Sequence, residues 1–471
     1  MSRRLCACVA AVAIALVGCQ ATPTAPPALD LPPATAETSP DLERWWLLFD
    51  DPGLTALIDE ALAHNLDLQA AIARVDLARA NLLLAQSPLY PSANLAADVN
   101  RTRQTLVGSQ PLPAGFNPLN DNARVGVRAA YEVDVWGRYR QGAEAARNEL
   151  LASEYARASV RTAVAAETAR IYFGLLAGDA EVDLLRATLR SRDETVELQT
   201  KLYRAGLIGD YDLQRAEAER ASVAANLALA ERTVGSYETA LAAIVGRSPR
   251  EVFAPQIERH VKEARLLGVP EVPPGLPADL LERRPDIRAA EARIAAASLR
   301  IDAARAQYFP SLALTASYGS ESAALADLFT GPALAWGIAG AVLQPLIGLK
   351  AIEASVQAET ARREAALVAY VQTVQTAFRE ARDALVANRT MHDALVAQGE
   401  RAGRLEASLK LADLRYRAGY SGYIEVLDAQ RQLLQAQTLQ ILAARDVRFA
   451  LVDLARAMGG GWDYRADAAA R

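Results

Sequence analysis

One unit of this sequence is written twice. Asp67-Leu68-Gln69-Ala70-Ala71 matches Asp286-Ile287-Arg288-Ala289-Ala290 at an offset of 219, and without a gap Tyr90-Pro91-Ser92 then falls on Phe309-Pro310-Ser311. Further along, Tyr203-Arg204-Ala205-Gly206 matches Tyr416-Arg417-Ala418-Gly419 at an offset of 213. Each copy runs in one order: helix, Pro-Ser break, strand-like region, very long helical stretch, glycine turn, helix. A tandem duplication restricts the fold to two copies of one helix-and-hairpin unit.

Proline marks the joints. None occurs from Leu119 to Ser248, a run of 130 residues, and none in the 126 residues after Pro345. Proline costs about 3 kcal/mol inside a helix, so these tracts, rich in Ala, Leu, Arg, Glu and Gln, predict helices over about 137–203, 210–246, 348–416 and 423–458. Seven prolines between Pro249 and Pro285 mark a connector. The chain divides into a first repeat over 41–248, a connector over 249–285, a second repeat over 286–459 and a tail over 460–471.

Four stretches alternate with period two, the mark of a strand with one apolar and one polar face. Leu95, Ala97 and Val99 alternate with Asn94, Ala96 and Asp98; Val125, Val127 and Tyr131 alternate with Arg124, Gly126 and Arg128. Leu312, Leu314 and Ala316 alternate with Ala313, Thr315 and Ser317, and Trp336, Ile338, Gly340 and Val342 form the weakest example. The predicted strands cover about 92–103, 122–132, 311–320 and 335–343, with hairpin loops from Gln104 to Asp121 and from Glu321 to Leu334. Such alternation fits outer-membrane strands, apolar to lipid and polar to a lumen. A soluble, half-buried sheet fits the strands alone at least as well. Four strands cannot close a barrel, for which about eight is the minimum. Membrane-spanning strands here would therefore need several chains to share one barrel.

The long helices need lateral partners. Leu427, Leu434 and Ile441, with Val426, Leu433 and Val447 on the neighbouring row, recur at coiled-coil spacing. Two antiparallel pairs follow, reversing at Gly206 and Gly419, where glycine supplies the positive φ of a helix end.

At the N-terminus, Arg3 and Arg4 precede an apolar stretch, Leu5 to Leu16, well below the roughly 20 residues that span a bilayer. It reads as a signal peptide over 1–18. Leu16-Val17-Gly18-Cys19 resembles a bacterial lipobox, in which Cys19 carries N-acyl and S-diacylglycerol groups; an ordinary signal peptide with an incidental cysteine is the alternative. By resemblance to lipoprotein sorting in Gram-negative bacteria, Gln20 rather than an aspartate after the cysteine favours the outer membrane. Six prolines over 20–40 make the 19–40 segment a tether.

Composition excludes rather than selects. With 51% hydrophobic and 23% charged residues the chain is neither disordered nor a bundle of membrane-spanning helices, and a formal charge of -5 argues against nucleic acid. His64, His260 and His392 are too scattered for a metal site. No phosphate-binding, zinc-protease or nucleophile-elbow motif is present, so neither an enzyme nor a cofactor is expected.

The ordered set of local motifs resembles the TolC-type outer-membrane efflux factors, and within them the lipoprotein branch that includes OprM. It comprises Trp45-Trp46 with Phe49-Asp50-Asp51-Pro52, Asn65-Leu66-Asp67-Leu68, Tyr131-Glu132-Val133-Asp134 with Trp136-Gly137-Arg138, Leu280 to Ile287, Phe309-Pro310-Ser311, and the Tyr416 to Arg431 segment. The resemblance implies a mainly α homotrimer with a small β part. A 12-stranded outer-membrane β-barrel would be continued by a long periplasmic α-helical barrel, docked to a periplasmic adaptor and through it to an inner-membrane RND-type pump. Small molecules such as drugs would pass passively. A channel for protein secretion, or a lipid-anchored periplasmic adaptor, is the alternative.

The resemblance also places a periplasmic gate at Ile424 and Asp428, with Glu425 beside them and Tyr416 and Arg417 in closing contacts. It places adaptor contacts at the turns around Gly206, Gly419 and Arg204. Three-fold symmetry would turn each inward carboxylate into a ring of three that repels itself and attracts cations. Solvated carboxylates at a helix start are the plainer reading of Glu425 and Asp428. Trp336 fits an interfacial anchor and simple packing equally.

Overall fold

The computed structural model describes residues 29–31, 42–108, 113, 115–257 and 280–463. Cys19, with the signal peptide and most of the tether, lies outside the described residues, as do the central part of the connector and the end of the tail. The chain forms two compact units, one comprising Val75–Ser153 and Ala289–Tyr370, the other Leu29–Arg74, Glu154–Arg288 and the chain from Val371 on.

The helices are α1 (Pro52–His64), α2 (Leu66–Gln86), α3 (Arg138–Arg204), α4 (Asp210–Ile244), α5 (Pro249–Phe253), α6 (Leu280–Arg283), α7 (Pro285–Arg305), α8 (Leu349–Arg417) and α9 (Tyr423–Ala457). The strands are β1 (Ser92–Arg103), β2 (Leu119–Val133), β3 (Ser311–Ser322) and β4 (Leu334–Leu343). Helices α3 and α8 run unbroken for 67 and 69 residues, each about 100 Å at 1.5 Å per residue.

In the first unit the strands form one antiparallel sheet in the order β1-β2-β3-β4. The hairpin of the first copy is joined to that of the second by β2–β3 pairing, from Val133↔Leu312 to Ala123↔Ser322. One face carries Leu95, Val99, Val127, Leu314, Trp336 and Ile338, all exposed. The opposite face carries Asp98, Arg124, Arg128 and Glu321; Arg124 donates to Glu321 at 2.7 Å and Arg128 to Asp98 at 3.2 Å. Gly126 faces Gly319 so closely that a Cβ on Gly319 would sit 2.2 Å from the Val125 carbonyl oxygen.

Both hairpin loops are shorter than the alternation predicts, because β2 starts at Leu119 and β3 runs on to Ser322. The added residues, Asn120, Asp121, Glu321 and Ser322 among them, carry no apolar alternation. Their backbones nevertheless continue the ladder, as in Asn120↔Thr102 and Asp121↔Arg101. At the other end of the sheet, the Asp134 carboxylate caps α3 by accepting from the Tyr139 and Arg140 amides at 3.2 and 2.9 Å. Trp136 donates through Nε1 to the Pro310 carbonyl at 2.7 Å and stacks on Phe309 at 4.6 Å between ring centroids.

The second unit packs around Trp45, Trp46, Leu54, Ile58, Tyr172, Phe173, Leu241 and Leu454. Asp51 starts α1 as its N-cap, accepting from the Gly53 and Leu54 amides, and its other oxygen accepts from the Tyr172 hydroxyl at 3.0 Å. Arg448 is buried over the Phe173 ring. Burial draws its pKa down to about 10, against the opposing pull of the Asp51 charge. At about 25 cal/mol per Å² over roughly 150–250 Å² of surface, each buried tryptophan contributes on the order of 4–6 kcal/mol before entropy. That burial explains why a short aromatic run far from the long helices is held against them.

Of the two predicted apolar rows on α9, Val426, Leu427, Leu433 and Val447 are buried, while Leu434 and Ile441 are half-buried against other clusters.

Candidate functional site

Four helix ends meet in the second unit where α3 turns into α4 and α8 into α9. Both turns close in the same way. The Gly206 amide donates to the Tyr203 carbonyl and the Leu207 amide to that of Leu202; the Gly419 amide donates to Tyr416 and the Tyr420 amide to Arg415. This double closure needs a left-handed residue, which glycine supplies at φ 69° and 76°. The turns present exposed apolar side chains, Leu207 and Tyr211 in one copy and Tyr420 and Ile424 in the other. Arg204 closes the last turn of α3 and is exposed.

Behind the turns the four helices are tied by polar contacts. Gln199 of α3 donates to the Tyr416 hydroxyl of α8 at 3.3 Å, and the Tyr416 ring lies 5.9 Å from that of Tyr423 on α9. Buried Arg192 of α3 donates to the Gln430 side chain of α9. Arg431 of α9 grips buried Glu219 of α4 through Nε at 2.6 Å and Nη2 at 2.5 Å.

Burial lowers the Arg192 pKa below its ordinary value, with Tyr423 and Glu219 pulling the other way. The Glu219 hydrogen bond raises that of Arg431. Burial raises the Tyr423 phenol, whose hydroxyl makes no hydrogen bond among the described residues.

The structure sorts the expected gate residues into two groups. Tyr416 lies within the interhelical contacts, half-buried. Ile424, Glu425 and Asp428 are exposed on α9, with Ile424 and Asp428 one turn apart on the same face. Glu425 approaches Arg415 at 3.8 Å, and Asp428 accepts from Gln432 at 2.6 Å. Arg417 pairs with Asp413 of its own helix at 2.8 Å.

Arg192, Gln199 and Glu219 carry no motif in the sequence, and charged residues on long helices ordinarily form a solvated face. The one signal is their register: Arg192 and Gln199 continue the three-four spacing of Val182, Leu185, Leu189 and Val196, and Glu219 that of Leu213, Ala216 and Val223, so each falls on the buried side of its helix. Among the described residues no group of His, Cys, Asp and Glu is placed to hold a metal ion. No described helix is long and apolar enough to cross a membrane.

Known proteins share this arrangement. The family model for the outer membrane efflux protein matches residues 57–247 and 276–460. The solvent efflux pump outer membrane protein SrpC of Pseudomonas putida is 34% identical over 415 residues, covering 88% of this chain and 86% of its own. The outer membrane protein OprJ of Pseudomonas aeruginosa is 34% identical over 429 residues, 90% of this chain and 87% of its own. Among solved structures, the CmeC outer membrane channel of Campylobacter jejuni superposes with a TM-score of 0.87 at 26% identity, over 93% of this chain and 95% of that one. Long duplicated helical pairs, a four-stranded sheet and these relatives agree: the chain belongs to the outer membrane efflux protein family and is an outer-membrane protein of the TolC type.

Proposed function

We propose that this chain is the exit duct of a tripartite efflux pump, through which small molecules pass passively from periplasm to exterior. The observation that carries the reading is the sheet: apolar on one face, charged on the other, with two open edges at β1 and β4. In lipid an open edge leaves backbone groups unsatisfied at several kcal/mol each, so β4 of one copy must pair with β1 of the next. Three copies supply twelve strands and a closed barrel whose charged face lines water. The same symmetry gathers twelve long helices into a tunnel.

Energy comes from an inner-membrane pump of the RND type, reached through a periplasmic adaptor that docks on the exposed turns at Gly206, Arg204 and Gly419. A duct of this kind needs no catalytic group and no cofactor. Asp428 and Ile424 form the inward constriction, Glu425 adds charge beside it, and Tyr416 and Arg417 hold the closing helices. Cys19 carries the lipid that anchors the N-terminus; a Cys19→Ala protein lacking the acylated N-terminal peptide by mass spectrometry tests that element alone.

Single-channel recording of the purified protein in a planar bilayer tests the duct. A small conductance that rises in Asp428→Ala supports both the pore and its constriction. Equal conductance in the two keeps the pore and moves the gate, and a folded protein that never conducts overturns the reading.

A further inference from the structure

We propose that the outward face of β1, at its loop end, binds the phosphorylated headgroup of an outer-leaflet glycolipid through Arg101 and Arg103. The inference rests on the membrane-barrel reading and adds a ligand to it.

Strand alternation puts Arg101 and Arg103 on the same face as Leu95, Ala97 and Val99. Pairing confirms the side: Arg101 lies opposite Asp121, and their side chains meet at 3.1 Å from Nε to Oδ1. The apolar run of this face therefore ends at Val99–Ala123, and the next two outward positions of β1 are both arginine. Trp336 and Tyr318, directly opposite each other on the same face and both exposed, mark it as the side that meets lipid.

The helices leave the sheet at the Ser92 and Val133 ends, so the end at Arg103 and Leu119 is the one remote from the periplasmic helices. In a barrel, the long-loop end is the outer one. Two guanidinium groups thus stand just beyond the apolar band, at the level where outer-leaflet lipids carry their phosphates.

The geometry suits one phosphate held by two arginines. Alternate residues of a strand are about 7 Å apart, a span that two extended arginine side chains close on a single anion. Arginine meets phosphate through paired N–H donors and is weakly hydrated, which favours it over lysine at such a contact. Asp121 engages Arg101 and holds it in place; Arg103 faces Leu119 across the ladder and has no carboxylate partner among the described residues. The site carries one net positive charge per copy from these three groups, complementary to an anionic headgroup.

The test titrates full-length protein in neutral detergent with diphosphorylated lipid A, for wild type, Arg101→Ala/Arg103→Ala and Arg101→Lys/Arg103→Lys. On the order of a tenfold loss of affinity is expected in the double alanine variant, with partial recovery in the lysine variant. Dephosphorylated lipid A should bind all three alike, and millimolar inorganic phosphate should leave lipid binding intact. Equal affinity of wild type and the alanine variant overturns the proposal, as does full displacement by inorganic phosphate. Each protein is also recorded in a neutral planar bilayer. Normal conductance with unchanged lipid affinity defeats the headgroup site alone, whereas loss of conductance already in wild type defeats the barrel reading beneath it.

Discussion

The Asn65 side chain donates through Nδ2 to the Ile244 carbonyl at 2.8 Å, joining the start of α2 to the last residue of α4. At the matching point of the second copy, Arg284 donates through Nη1 to the Ala457 carbonyl, the last residue of α9, at 3.3 Å. The surroundings are duplicated too. Gly246, at φ 79°, lies against the His64 carbonyl, and Gly459, at φ 77°, against that of Arg283. The repeat has thus kept its joint while changing the residue that makes it. Arginine in the second copy adds ion pairs to Asp286 at 2.6 Å and Glu380 at 2.9 Å.

Removing these joints should separate the copies by cost. Asn65 also caps α2 by accepting from the Leu68 amide at 3.0 Å, so Asn65→Ala loses a cap and a buried bond, about 2 kcal/mol together. Arg284→Ala removes the bond to Ala457 and leaves half-buried Asp286 and Glu380 without their shared partner, which should cost about 3 kcal/mol. Denaturant unfolding of the two variants should show the larger shift in Arg284→Ala.

The close approach of β2 and β3 predicts opposite outcomes for two glycines of one sheet. In Gly319→Ala the new methyl would fall 2.2 Å from the Val125 carbonyl oxygen and 2.5 Å from the Gly126 Cα, forcing the hairpins apart. In Gly337→Ala it would meet only the Ser317 hydroxyl, at 3.6 Å. On the proposed shared barrel, Gly319→Ala should abolish any trimer band in unheated outer-membrane extracts, and Gly337→Ala should leave its yield unchanged.

Glu219 and Arg431 should couple more strongly than a surface pair, because Glu219 is buried. A double-mutant cycle with Glu219→Gln and Arg431→Met should give a coupling of about 1–3 kcal/mol. Either single change should loosen α4 from α9 and raise channel conductance. An additive cycle would show that the two helices are held by packing alone.

Tyr423 predicts an alkaline effect. Burial raises its phenol above the ordinary value near 10, so the folded state keeps a proton that the unfolded chain releases. The resulting stability is fully present below about pH 10 and is lost as pH rises through the folded value. Tyr423→Phe removes a buried hydroxyl that lacks a hydrogen bond. It should be somewhat more stable than wild type at pH 7, since the orphaned hydroxyl is gone, and lose less stability above pH 10, as thermal unfolding across pH would register.

The kinds of element, their order and their duplication are legible in the residues alone. Proline spacing, period-two alternation and the glycine turns are local properties, fixed by sterics within a few residues. They held at β4, whose weak pattern still forms a full strand, and failed at Asn120 and Asp121, where backbone pairing outruns the side-chain pattern.

That the two hairpins join through β2 and β3, that Arg192 meets Gln430 and that Glu219 meets Arg431 emerges only in the folded chain. In the sequence each of these is one charged or amide residue among many on a long helix. Its partner lies about 200 residues away, and no period relates the two. Which of them become buried, and so must be paired to offset the loss of water, depends on how the helices approach one another in space.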